Sequence, residues 1–100
     1  MTEVNFAEMQ EKIAEGGKVL VDFWAPWCGP CRAMAPVLEK FSQENPDITV
    51  VKVNVDENPE VADLGIRSIP TIIAFSSEKE LDRTIGAVPA EKLKSLFKNT

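Results

Sequence analysis

The chain contains no histidine, which removes the commonest general base and the commonest metal ligand from its chemistry. A proton moved at any reactive centre must therefore pass through a carboxylate, a lysine, a thiol or water. Cysteine is scarce as well: Cys28 and Cys31 are the only two. Two thiols without an imidazole fall short of a zinc site's usual ligand set, so no metal is expected. Basic residues are outnumbered, eleven Lys and Arg against sixteen Asp and Glu, giving a net charge of −5. An acidic chain does not seek phosphate backbones, and nucleic acid is not expected as a partner. Apolar runs stay far below the ~18 residues that span a bilayer, so no membrane segment is expected. Repeats, low-complexity tracts and linkers are all missing. Met1-Thr2-Glu3-Val4-Asn5 has neither the basic flank nor the apolar stretch of a secretory signal. The expected setting is reducing and cytoplasmic, where a lone cysteine pair is more often catalytic than structural.

What is present suits one domain over residues 1–100, with 44% hydrophobic residues for a single core. Asn5-Phe6-Ala7-Glu8 reads as a capping box with Asn as the cap, and Phe6, Met9 and Ile13 follow at helical spacing until Gly16-Gly17. Lys18–Ala25 reads as a buried strand, nearly continuous in apolar residues from Val19, as a strand covered on both faces must be. A helix follows to about Glu44, with Met34, Val37, Leu38 and Phe41 as its inward stripe and Pro36 as an expected kink. Ile48–Val55 is rich in β-branched residues and reads as a second central strand. Asn58 caps and Pro59 opens a short helix that Gly65 closes. Pro70–Ser76 and Leu81–Ile85 form a hairpin, and Leu93, Leu96 and Phe97 mark a last amphipathic helix. The alternation predicts an α/β fold, a mixed sheet with helices on both sides.

Trp27-Cys28-Gly29-Pro30-Cys31 places both thiols at the strand-to-helix turn. A helix N-terminus favours an anion there and makes a thiolate available near neutral pH. The pair reads as a redox dithiol, against the bland alternatives of inert packing or half a zinc site. Cys28, nearest the dipole's end and the more exposed, is the expected attacking thiol. Cys31, one turn in and less exposed, would resolve the mixed disulfide. Pro30 restricts the turn, and Gly29 leaves the backbone open to an approaching protein.

Asp22 interrupts the first strand six residues before Cys28. Burial there should raise its pKa, and it could accept the proton of Cys31. Lys52 punctuates the neighbouring strand as its countercharge. The alternative is that Asp22 and Lys52 form a structural ion pair or point to solvent at strand ends. Trp24 reads as core and Trp27 as a recognition surface. Pro70 is ambiguous at this level, since a proline that starts an edge strand needs no function.

The chain resembles the thioredoxin family. The resemblance is carried by Phe23–Cys31, Asp22, Pro36, Lys52, Val53–Asp56, Gly65–Thr71 and Gly86-Ala87, in the family's order over essentially the whole chain. It implies a thioredoxin fold, a five-stranded sheet of order 1-3-2-4-5 flanked by four helices. It implies a protein-disulfide reductase that carries electrons on its own dithiol, with no cofactor, as a monomer. Cys28 would be the nucleophile, Cys31 the resolver, Asp22 the buried acid and Lys52 its neighbour. Substrates would be disulfide-containing proteins, and a thioredoxin reductase would recycle the pair. A cis Ile69-Pro70 bond would face the dithiol, and Trp27, Ile69, Pro70, Ile85 and Gly86 would form a shallow contact surface beside Gly29 and Pro30.

Some positions depart from the pattern. Ser76-Ser77-Glu78-Lys79-Glu80 has no glycine where relatives carry a Lys-Asn-Gly turn, so a turn of another type or a longer one is expected. Leu64 stands where an aromatic is common, and Val88-Pro89 caps the last helix poorly. Two further functions remain open at this level, an oxidant or isomerase on the same fold and a redox-silent subunit. Relatives that oxidise often carry His between the cysteines, and Gly29-Pro30 argues against that role.

Overall fold

Each face of the central strand packs against its own helices, and the alternation of a single segment sets which. The structure, a computed structural model, describes residues 1–98, and the last two residues of the domain expected over 1–100 lie outside them. Strand β2 (Lys18–Trp24) has Val19, Val21 and Phe23 on one face, where Met9 of helix α1 (Phe6–Ala14) covers them. Leu20 points the other way, into a cluster with Met34, Leu38 and Phe41 of helix α2 (Gly29–Glu44). Asp22 and Trp24 share the face of Leu20 by the period of two.

The sheet is mixed and five-stranded. Its order is β1-β3-β2-β4-β5, with β1 at Thr2–Glu3, β3 at Ile48–Asn54, β4 at Thr71–Ser76 and β5 at Lys79–Ile85. β2 is parallel to β3 and antiparallel to β4. Helix α3 (Ala90–Ser95) joins α2 on one face through Leu93, and a 3₁₀ segment (Pro59–Leu64) joins α1 on the other through Val61 and Leu64. Two-residue β1 escaped the residue-by-residue reading, because neither of its residues is buried and no apolar alternation betrays it.

The caps explain most of the boundaries. Asn5 Oδ1 accepts from the Glu8 N–H and Glu8 Oε1 accepts from the Asn5 N–H, at 2.8 and 2.9 Å, completing the expected capping box. Asn58 departs from expectation in its side chain. It holds the N-cap position, its carbonyl accepting from the Val61 N–H at 3.1 Å, but its side chain makes no cap bond and sits buried, Oδ1 accepting from Phe6 N–H and Nδ2 donating to the Asn54 carbonyl. The distant Phe6 N–H takes the Oδ1 that a local N–H would have used, and the helix Asn58 opens is a 3₁₀ turn. Gly65 closes that turn with φ 77°, a left-handed conformation a Cβ resists. Pro36 lies exposed inside an uninterrupted α2, where it deprives the Arg32 carbonyl of its helical donor.

The hairpin corrects a second expectation. β5 begins at Lys79, so the turn is a tight two-residue one, Ser77-Glu78, with φ 51° and 70°. Positive φ at both positions is the requirement of a type I′ turn, met here without glycine. The Ser77 N–H donates to the Gly16 carbonyl at 3.1 Å and helps hold it. Left-handed backbone strains L-residues by about 1 kcal/mol each. Replacing the pair by Asn-Gly (S77N with E78G) should therefore raise the thermal midpoint by roughly 5 °C, measured by circular dichroism at fixed pH.

Candidate active site

β2 and β3 end together, with Trp24 paired to Asn54. Beyond this edge the chain turns through Ala25-Pro26-Trp27 into α2. Cys28 is the N-cap of α2, and its Sγ accepts from the Cys31 N–H at 3.2 Å. The first turn carries no acidic residue, so nothing there offsets the helix dipole. Arg32 folds back to donate to the Pro26 carbonyl at 2.9 Å and secures the turn. Cys28 and Cys31 are joined as a disulfide, their Cα atoms 5.2 Å apart.

The two cysteine residues are hardly graded in exposure, where a clear difference was expected. Cys28 is 4% and Cys31 3% exposed. Both pack in a cluster with Ala25, against the half-buried Trp24, Val55 and Ile69. The Ile69–Pro70 bond is cis, and the Ile69 carbonyl oxygen stands 3.8 Å from Cys28 Sγ, covering it in the oxidised form. Around the buried pair the surface is open: Trp27 is 67% and Ile85 61% exposed, and Gly29 and Pro30 are exposed with them. Gly86 is half-buried beside Ile85. Pro70 departs from the expected surface set because it is buried, and its carbonyl accepts from the Gly86 N–H at 2.8 Å. It shapes the surface from beneath.

Asp22 is buried on the α2 face of the sheet, and Lys52 pairs with it in register on β3. Because β2 runs toward the start of α2, Asp22 lies nearer the cysteines than Leu20, which already touches the cluster of Met34. Burial pushes the Asp22 carboxyl up to about 7, and the Lys52 charge lowers it only in part. Its Oδ1 has no hydrogen-bond partner among the described residues. Lys52 sits with its Nζ 4.5 Å from the Trp24 ring centroid, a cation–π contact. Neither closes an ion pair within the described set, so the alternative of a tight Asp22–Lys52 bridge is not what the structure forms. Trp24, expected as core, is half-buried and is the platform between Lys52 and the cysteine cluster.

The thioredoxin family model matches residues 1–99. The chain belongs to the thioredoxin family. A thioredoxin of Alicyclobacillus acidocaldarius is 50% identical over 97 residues, covering 95% of this chain and 90% of that one. Thioredoxin 1 of Synechococcus elongatus is 54% identical, over 84% of this chain and 80% of its own. Among solved structures, Plasmodium falciparum thioredoxin overlays with a TM-score of 0.90 at 31% identity, covering both chains completely. Family membership and the Cys28–Cys31 disulfide make this chain a thiol–disulfide oxidoreductase, a dithiol electron carrier that reduces protein disulfides.

Two residues of this thioredoxin site escaped sequence reasoning. Asp56 Oδ2 accepts from Trp27 Nε1 at 2.8 Å and holds the exposed indole in place, while the Asp56 N–H donates to Asn54 Oδ1. The parallel pairing of β2 with β3 was the available signal, since it carries residue 56 to the Trp27 end of the sheet. Met34 Sδ accepts from the Val88 N–H at 3.2 Å, tying α2 to the segment after Gly86. Sequence offered no signal for that, because Met34 reads as core packing and is core packing too.

Proposed function

We propose that Cys28, as a thiolate, attacks one sulfur of a disulfide in a partner protein. A Cys28–substrate mixed disulfide forms, and the substrate's other sulfur leaves as a thiolate. Cys31 then gives up its proton and attacks Cys28 Sγ, forming the Cys28–Cys31 disulfide and releasing the second substrate thiolate. Two electrons pass from dithiol to substrate. Asp22, held half-protonated near neutral pH by its burial, accepts the Cys31 proton, and the Lys52 charge beside it tunes that affinity. The single observation that carries this reading is the helix-capping position of Cys28 just beyond the strand that buries Asp22, whose Oδ1 has no hydrogen-bond partner among the described residues.

The substrate docks as an extended segment along the Ile69 backbone, which the cis Pro70 turns toward the sulfurs. Trp27 and Ile85 offer apolar contacts on either side, with Gly29, Pro30 and Gly86 letting the substrate backbone come close. A thioredoxin reductase returns the disulfide to the dithiol. The chain works as a single domain and a monomer in the cytoplasm, without metal or cofactor. Among the described residues no helix is long and apolar enough to cross a membrane.

The test is Cys31→Ser. Without its resolving thiol the protein should accumulate mixed disulfides through Cys28 when mixed with an oxidised protein, visible as dithiothreitol-sensitive bands on a non-reducing gel. Absence of such adducts would refute attack by Cys28.

A further inference from the structure

The hairpin edge carries a side-chain cluster that disulfide exchange itself does not use. Arg83 lies on β5 opposite Ile73, its side chain 31% exposed. Its Nε and Nη2 donate to the two carboxylate oxygens of Glu80 at 2.7 and 2.8 Å, a bidentate fork. Its Nη1 donates to the Leu64 carbonyl at 3.0 Å. In a regular strand, residues three apart point to opposite faces. Here Ala74 pairs with Asp82 but Phe75 pairs with Glu80, which leaves Leu81 as an extra, bulged residue. The bulge shifts the alternation by one and brings Glu80 and Arg83 to the same face.

Leu64 ends the 3₁₀ segment and begins the loop that leads to Pro70. The far end of that loop is held at the Pro70 carbonyl by the Gly86 N–H. Both fixings therefore come from one short stretch of chain, Arg83 to Gly86. Between them stands Ile69, whose carbonyl faces Cys28 Sγ at 3.8 Å. We propose that Arg83 is a positioning residue for protein substrates: by clamping Leu64 it sets the height at which the Ile69 backbone is presented for strand docking. The inference rests on the docking reading above and names the element that maintains it. Its range is narrow. A small disulfide needs only the sulfur of Cys28, whereas a protein segment must also find the Ile69 backbone in register.

The experiment compares wild type, Arg83→Ala and Glu80→Gln, recycled by dithiothreitol, on insulin and on dithiobis(nitrobenzoate). Arg83→Ala should raise the KM for insulin roughly tenfold, since small misplacements of a docking frame are costly, with kcat and the small-disulfide rate changed less than about twofold. Glu80→Gln frees the guanidinium from its fork and should shift KM the same way by a smaller factor, and it serves where the alanine variant folds poorly. Unchanged insulin KM in the variants, or equal losses on both disulfides, would overturn the proposal. A wild type inert toward both disulfides would instead overturn the exchange reading and the proposal with it.

Discussion

Replacing Asp22 by Asn should stabilise the oxidised protein at pH 8 by about 4 kcal/mol and leave it almost unchanged at pH 4. The carboxyl lies at about 7 when folded and at the ordinary 3.8 when the chain is unfolded. Between those values the native state holds a proton that the unfolded state has lost, so stability falls by about 1.4 kcal/mol for each pH unit. The stabilising contribution is therefore complete below about 4 and gone above about 8. Asn does not titrate and escapes the loss. For a domain of this size the gap at pH 8 should exceed about 10 °C in thermal midpoint, and melts of both proteins across pH measure it directly. An offset that does not vary with pH would show that Asp22 does not ionise in that window. The same variant should slow insulin reduction near neutral pH by something on the order of 10²-fold, because the resolving thiol loses its proton acceptor. Stability and activity then move in opposite directions, as expected for a group kept buried at an energetic cost.

Cys28→Ser should abolish protein-disulfide reduction, by at least about 10³-fold, because a hydroxyl at the helix cap is no nucleophile toward sulfur. The reduced protein should also react with iodoacetamide at pH 7 about tenfold faster than glutathione does, with the label on Cys28 by peptide mapping. The physical cause is the cap itself. In the disulfide form Cys28 Sγ already accepts the Cys31 N–H, a bond that strengthens when the acceptor carries charge. Alkylation no faster than glutathione would remove the thiolate from the mechanism.

Much of this was legible from residues alone. Asn5 and Glu8 announced α1, the apolar run from Val19 announced β2, and the spacing of Cys28 and Cys31 announced a redox pair, because each signal is local. The five-strand order came from family resemblance, since β1 is two exposed residues that no local pattern marks. Asn58 holds the cap position the sequence pointed to, but its side chain became a buried bridge between Phe6 and Asn54. Ser77-Glu78 looked unsuited to a tight turn and forms one, held in part by the carbonyl of Gly16 from the connection between α1 and β2.

The amino-acid order by itself determined the reactive chemistry: which atoms can carry electrons, that no imidazole assists them, and that a helix begins at the first sulfur. Folding alone decided the rest of the site. It buried both cysteines almost equally, left Asp22 Oδ1 without a partner, pinned Trp27 to Asp56, and used a bulge to join Glu80 with Arg83. These depend on neighbours distant in sequence, and burial and register are properties of the packed sheet that no stretch of chain possesses alone.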